Sequence, residues 1–201
     1  MHYLGIDQSL TSTGVVVLDD QLSLVDYQII SSDPSKSVYS RSWSILQKIR
    51  EMIVKHAVNY VGIEGLAMTM KGNATRSLAI LQGVIVTDLL FNPPEGNLLS
   101  QKALEIISPS QLKKFATGNG KANKADMIKA LPPSVIEEMK KGVAKKSIND
   151  LADAYFLARY LHQFHYQISD FRSQKNKKSL PCKKLILITK AGSGIKIKSV
   201  I

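Results

Sequence analysis

The stretch LGIDQSLTSTGVVVLD, residues 4–19, holds two short apolar runs separated by a small polar loop, and the first run ends on a carboxylate, Asp7. Apolar runs of this length, bounded by polar and glycine-containing segments, read as buried strands. Asn or Ser would turn the chain as well as Asp, so the acid asks for a reason beyond the turn. The same grammar returns in VGIEG, residues 61–65, where Glu64 stands in the place of Asp7.

Working outward, residues 2–7, 14–19 and 21–30 read as a three-stranded antiparallel meander, with a tight turn at Asp19-Asp20. SSDPSKS is a loop. Residues 40–57 carry Trp43, Leu46, Ile49, Ile53 and Val54 at helical spacing. A fourth strand at 60–64 follows. Next come a helix at 74–91 with Leu78, Leu81, Ile85 and Leu89 on one face, a break at NPPEGN, and a short strand at 104–109. Residues 110–131 read as two short helices around a basic glycine-containing loop, and PPSVIEEMKKGVAKKS as a short helix plus loop. A last helix at 148–165 turns Leu151, Ala154, Tyr155, Ala158 and Leu161 inward. There is no repeat of fixed period.

The order βββαβαβα predicts an α/β fold with a five-stranded mixed sheet flanked by helices. A helical crossover from the third strand to the fourth lays the fourth beside the first, parallel to it. Residues 1–168 are expected to form this domain. Residues 169–201 are expected to form a basic linker after Asp170 and a C-terminal hairpin around Gly192-Ser193-Gly194.

With 201 residues the chain has enough surface to bury a full core. Its net charge of +11 and pI near 9.7 point to a polyanionic partner, most simply nucleic acid. The single cysteine, Cys182, excludes an internal disulfide, and the histidines lack ligand spacing; His162 and His165 read as surface residues. Met1 runs straight into a strand rather than a signal peptide, and no apolar run reaches the roughly 18 residues of a membrane span. The expected location is the cytoplasm, with no membrane partner.

If the first and fourth strands are parallel neighbours, Asp7 and Glu64 leave the sheet at one edge, about 4.8 Å apart. Carboxylates at that spacing repel unless a cation lies between them or one keeps its proton. INDLADAYFLA places Asp150 and Asp153 on one face of the last helix, in its first turn. Taken singly, each acid has an ordinary explanation: a turn acid, a surface acid, or a pair complementing the helix dipole. Jointly, all four fall where one sheet edge meets one helix start. Four carboxylates around a small space suit Mg²⁺, with Mn²⁺ as a substitute. Two such ions about 3.5–4 Å apart can activate a water and stabilise the leaving oxygen of a phosphodiester.

The segments LGIDQSLTSTG, VGIEGLAM, SPSQLKKFATGNGKANKADM and NDLADAYFLA, in that order over roughly residues 1–165, resemble the RuvC-type Holliday junction resolvases of the RNase H-like nuclease superfamily. The resemblance implies an RNase H-like fold in which Asp7, Glu64, Asp150 and Asp153 bind metal. It also implies a homodimer that cuts four-way DNA junctions at paired symmetric sites, and a phage or other divergent member, acting in a host cytoplasm if phage-encoded. Lysines matching Lys113 and Lys124 lie near the scissile phosphate in that family, and they are expected in the catalytic site and on DNA here. The residues themselves add Lys114 and Lys121 around Gly118-Asn119-Gly120, where glycines admit phosphates close to the backbone.

The loop GLAMTMKGNATR, 65–76, corresponds to one that enters the junction centre with an aromatic side chain. This chain has Ala67 there, which leaves Met68 and Met70 as apolar wedges and Lys71 and Arg76 as phosphate contacts. The second helix has a small apolar face, Ala79, Leu81, Gly83, Val84 and Val86; the resemblance implies that it forms the dimer interface, and burial within the monomer is the equal alternative. Two other readings stand beside junction resolution: a broader flap or fork nuclease, and a non-catalytic junction-binding protein.

Overall fold

A computed structural model describes residues 1–66, 72–94, 103–177, 186–190 and 195–199, with side chains described through His165. The chain divides into two compact units, Met1–His165 and Tyr166–Ile201.

The first unit begins with β1 (Tyr3–Asp7), β2 (Thr13–Leu18) and β3 (Leu24–Ile30), joined as an antiparallel meander. Helix α1 (Val38–Lys55) starts at Ser37, whose side chain caps the amide of Ser40, and crosses to β4 (Tyr60–Glu64). Helix α2 (Asn73–Phe91) leads to β5 (Leu104–Ile107). The sheet order is β3-β2-β1-β4-β5, with β1, β4 and β5 parallel. This is the expected five-stranded mixed sheet, and its centre is β1, the strand that ends on Asp7.

Both faces of the sheet are covered, and β2 shows why its sequence is apolar throughout. Val15 and Val17 join Leu4 and Ile6 under Ile45, Ile49 and Ile53 of α1 and Leu81, Ile85 and Leu89 of α2. Val16 and Leu18 turn to the other face. There they meet α3 (Pro109–Thr117), α4 (Lys124–Ala130), α5 (Pro133–Gly142) and the long helix α6 (Ile148–Lys177). A strand buried on two faces has no use for polar alternation.

The α6 face is set by glycine. A Cβ on Gly5 would overlap the Ala154 carbonyl oxygen and lie 2.8 Å from the Ala158 nitrogen. One on Gly14 would collide with the backbone of Asp150, 2.7 Å from its carbonyl carbon. With Ala154 and Ala158 on the facing side, α6 therefore rests backbone to backbone on β1 and β2, and its first turn lies over the carboxyl end of β1.

Four local readings change. Trp43 and Val54, expected to face the core, are each 57% exposed on the outer side of α1, whereas Leu46, Ile49 and Ile53 are fully buried. The apolar stripe is narrower than the spacing suggested, because Ile45 and Met52 complete it from the other edge. His162 and His165 are half-buried rather than surface residues. His165 hydrogen-bonds the Tyr60 hydroxyl, and His162 sets its ring edge-on to Tyr3. Helix α6 continues to Lys177 instead of yielding to a linker after Asp170, since nothing before Pro181 breaks a helix. Finally, α2 is long and apolar enough to cross a membrane, against the sequence expectation. Its Leu81, Ile85 and Leu89 are fully buried in the core of this unit.

The second unit contains an antiparallel pair, β6 (Ile186–Lys190) and β7 (Ile195–Ser199), registered Ile186 to Ser199. Gly192-Ser193-Gly194 and Cys182 lie outside the described residues.

Candidate active site

Parallel pairing of β1 and β4 runs in register from Tyr3–Tyr60 to Ile6–Ile63, so Asp7 and Glu64 are the next residues out on adjacent strands. Asp150 and Asp153 reach the same place from α6. The four carboxyl groups sense one another. Burial pushes Asp7 well above the usual carboxylate range, and the charges of Glu64, Asp153 and Asp150 push it the same way. Burial also raises Glu64, against a hydrogen bond shared with Asp7 and the pull of Lys113 and Lys124. Asp153 is pushed up to about 7, first by burial and then by Glu64, with Lys124 and Lys113 opposing.

The hydrogen bond between Asp7 and Glu64 raises Asp7 and lowers Glu64. Among the described residues none of the four acids forms an ion pair, and no three acidic, histidine or cysteine groups are gathered at metal-ligand spacing. The donor set of hard oxygens, raised carboxyl groups and two distant ammonium groups fits a divalent oxygen-seeking cation.

The loop between β1 and β2 ties the acids together. Gln8 Nε2 donates to the Glu64 carbonyl at 2.9 Å, and Gln82 Nε2 of α2 reaches the same oxygen at 3.3 Å. Ser12 Oγ donates to Asp150 Oδ2 at 2.5 Å. Gln8 is buried, and its own Oε1 has no partner among the described residues. The sequence reading saw this loop only as a small turn with room for a phosphate. The signal that it does more was present in its density of hydroxyl and amide side chains immediately after Asp7.

The lysines separate into two sets. Lys113, half-buried on α3, and Lys124, at the first position of α4, are the two whose charges reach Glu64 and Asp153. Ser108 caps α3 with Pro109 at its first turn, and Asn123 and Asp126 form a reciprocal capping box on α4. Gly118, at φ 80°, closes α3 in the left-handed conformation that glycine adopts freely. These local signals fix where both lysines stand. Lys114 and Lys121 are exposed and do not figure among the charges acting on the acids. Arg76 is exposed in the first turn of α2. Met68, Met70 and Lys71, like Ala67, lie outside the described residues.

The family model for crossover junction endodeoxyribonuclease RuvC matches residues 3–159, and nucleases of that family are metal-dependent. Similar proteins include the crossover junction endodeoxyribonuclease RuvC of Clavibacter michiganensis, 27% identical over 130 residues covering 62% of this chain. The chain spans 59% of that relative's length. The protein of the same name from Brachyspira hyodysenteriae is 28% identical over 132 residues, 64% of this chain and 78% of the relative. Among solved structures, Thermus thermophilus RuvC in complex with a Holliday junction substrate superposes with a TM-score of 0.64 at 18% identity. That match covers 84% of this chain and 96% of the other. The yeast mitochondrial Holliday junction resolvase gives 0.58 at 12% identity, covering 87% and 82%. Likeness at this level of identity establishes the shared fold, a five-stranded mixed sheet with flanking helices. The family match spans β1 through the Asp150–Asp153 turn and so contains all four acids; the chain belongs to the RuvC family.

Proposed function

We propose that this protein is a metal-dependent endonuclease that hydrolyses phosphodiesters in branched DNA, chiefly four-way junctions, at paired symmetric positions. The observation that carries the reading is the convergence of Asp7, Glu64, Asp150 and Asp153 at one sheet edge, with Lys113 and Lys124 acting on it. The four acids would hold Mg²⁺, or Mn²⁺ in its place, as two ions. When bound, the ions supply an activated water and stabilise the leaving oxygen. Asp7, on the central strand, would be the central ligand of this set. Lys113 and Lys124 hold the scissile phosphate and offset the acids' charge on the DNA side. Lys114, Lys121, Lys71 and Arg76 carry salt-dependent phosphate contacts, and Met68 and Met70 wedge between bases at the branch point.

Symmetric cutting needs two sites, and we assign the dimer contact to α2. Its outer side presents Ala79 and Gly83 exposed and Val84 half-exposed, while Val86 packs with the buried Leu81 row against the core. Residues 1–168 form the nuclease domain, and residues 169–201 a basic extension that adds DNA affinity.

The test is Asp153→Asn on a labelled four-way junction with Mg²⁺. Cleavage should be abolished while junction binding persists; cleavage at the wild-type rate would refute the assignment. A broader specificity for flaps or forks is the second reading, favoured by Ala67 in place of an aromatic. A panel of four-way, three-way, flap, hybrid and linear substrates decides between them. A binding-only role is disfavoured because all four acids are retained.

A further inference from the structure

The loop that ties the acids together is itself held from outside, by a residue that no part of the catalytic reading uses. Arg41, half-buried on the second turn of α1, donates through Nη2 to the Leu10 carbonyl at 2.9 Å and through Nε to Ser32 Oγ at 2.9 Å. The Ser32 hydroxyl donates in turn to the same Leu10 carbonyl. One backbone oxygen at the crown of the loop is therefore gripped from two sides, and the two gripping groups are bonded to each other. The rest of the loop is closed on itself. Ser9 N donates to Thr13 Oγ1 at 3.1 Å, the Thr13 hydroxyl donates to the Ser9 carbonyl, and the amides of Thr11 and Ser12 donate to Ser9 Oγ at 3.3 and 3.4 Å.

The amide bonds to Ser9 Oγ are long, at 3.3 and 3.4 Å, so they are the first to open when the loop loses its outside hold. Among the described residues, side-chain hydrogen bonds tie the loop to the protein at three places, Gln8 to Glu64, Ser12 to Asp150 and the Arg41–Ser32 grip on Leu10, beside the packing of the Leu10 side chain on the core. The first two are single hydrogen bonds, one to the Glu64 backbone carbonyl and one to the Asp150 carboxylate. The third is a planar two-donor fork, the arrangement in which arginine loses least freedom per bond and lysine cannot substitute.

We propose that Arg41 is a positioning residue for the nuclease site: through Leu10 it sets the 8–12 loop, and through Ser12 and Gln8 the loop sets Asp150 and the end of the Glu64 strand. The proposal rests on the nuclease reading for its effect on rate, and on the hydrogen bonds alone for its effect on the loop. Misplacing a catalytic group by about 1 Å lowers rate on the order of a hundredfold. Loss of a grip two bonds removed from the acids is expected to lower kcat about tenfold to thirtyfold, with the half-saturating Mg²⁺ concentration raised severalfold.

The experiment compares Arg41→Ala, Arg41→Lys and Ser12→Ala with the wild type in three measurements. Amide hydrogen exchange by NMR on the full chain reads Thr11 and Ser12. Junction affinity is read in Ca²⁺, and cleavage at saturating junction is read across a Mg²⁺ series. In Arg41→Ala, exchange at Thr11 and Ser12 should quicken at least tenfold while amides of β1 and β4 keep their protection. Junction Kd should stay within twofold, and kcat should fall. Arg41→Lys should recover less than half of the loss, and Ser12→Ala should reproduce the Mg²⁺ shift without the exchange change at Thr11.

A weaker junction Kd with unchanged kcat would make Arg41 a DNA contact and overturn the proposal, as would unchanged exchange and rate. General loss of protection in β1 and β4 would make the residue merely structural, which also overturns it. If the wild type cuts no DNA, the nuclease reading fails, while the exchange measurement still decides whether Arg41 holds the loop.

Discussion

Replacing Gly5 by Ala would separate what the fold needs from what the site needs. The added Cβ overlaps the Ala154 carbonyl and lies 2.8 Å from Ala158 N and 2.9 Å from the Ala154 carbonyl carbon, all backbone atoms. Ordinary contact begins at 3.4 Å, so relieving the 2.8 Å contact alone moves α6 by about 0.6 Å, and the carbonyl demands more. Overpacking against backbone sits at the top of the usual range, about 3 kcal/mol, and Ala recovers roughly 0.4–1 kcal/mol by restricting the unfolded chain. The net expectation is a loss of about 2–3 kcal/mol in urea unfolding.

The displaced helix carries Asp153 immediately before Ala154. A shift approaching 1 Å should reduce junction cleavage on the order of a hundredfold under conditions where the variant is fully folded. Gly62, paired with Gly5 across the β1–β4 ladder, is the control. Its Cβ would meet side-chain atoms rather than backbone, Leu161 Cδ1 and Cγ at 3.1 and 3.2 Å and Ile107 Cδ1 at 3.2 Å, so Gly62→Ala should cost about 1 kcal/mol and little activity. If Gly5→Ala melts and cuts like Gly62→Ala, then helix-to-strand contact at Gly5 does not position the acids, and the reasoning fails.

Three further outcomes are expected. Asp153 has a folded value of about 7 against an ordinary 3.8, so the metal-free folded state holds a proton that the unfolded chain has lost. Its stability should therefore fall as pH rises from about 4 to about 7, by roughly 2–3 kcal/mol between pH 5 and pH 8 from this group alone. Asp7 and Glu64, also raised, act with the same sign. Added Mg²⁺ should raise Tm more at pH 8 than at pH 5, and an equal rise would contradict a carboxylate site. Lys113→Ala and Lys124→Ala should each lower cleavage about tenfold or more and shift Asp153 titration upward by NMR, whereas Lys114→Ala should weaken binding only, in a salt-dependent way. Gly83→Arg, on the exposed side of α2, should leave the fold intact and convert a dimer to a monomer by light scattering with loss of paired cutting; a persistent dimer would move the interface elsewhere.

Much of the fold was legible because its strands are bounded by strong local signals. β1 and β4 are apolar to their last residue and then acidic, and the parallel placement of β4 beside β1 follows from the single helix that crosses from β3 to β4. The inward row of α6 was read correctly since Leu151, Ala154, Tyr155, Ala158 and Leu161 follow one helical face. Trp43 was misread for the opposite reason. Hydrophobicity at the right spacing marks a candidate face, yet only the packed partners decide which edge of a stripe is covered, and α1 is covered along Ile45 and Met52 instead. The run of charge after Asp170 reads as a linker, yet Lys, Arg and Gln are good helix formers, and α6 continues through them to Lys177.

The loop contacts were not legible for a deeper reason. Ser12 reaches Asp150 across 138 positions of sequence and Gln8 reaches Glu64 across 56, so no local pattern records either pairing. Glycine makes the link between the two scales. In LGIDQSLTSTG, the same two glycines that look like turn residues are the points where α6 touches the sheet, and that touch brings Asp150 within reach of Ser12. The motif thus encodes both a ligand and the clearance that lets distant ligands arrive. A chain that kept all four acids but bore a side chain at position 5 or 14 would retain the sequence signature while losing the geometry. Counting acids in a relative is therefore a weaker guide to activity than counting the acids together with Gly5 and Gly14.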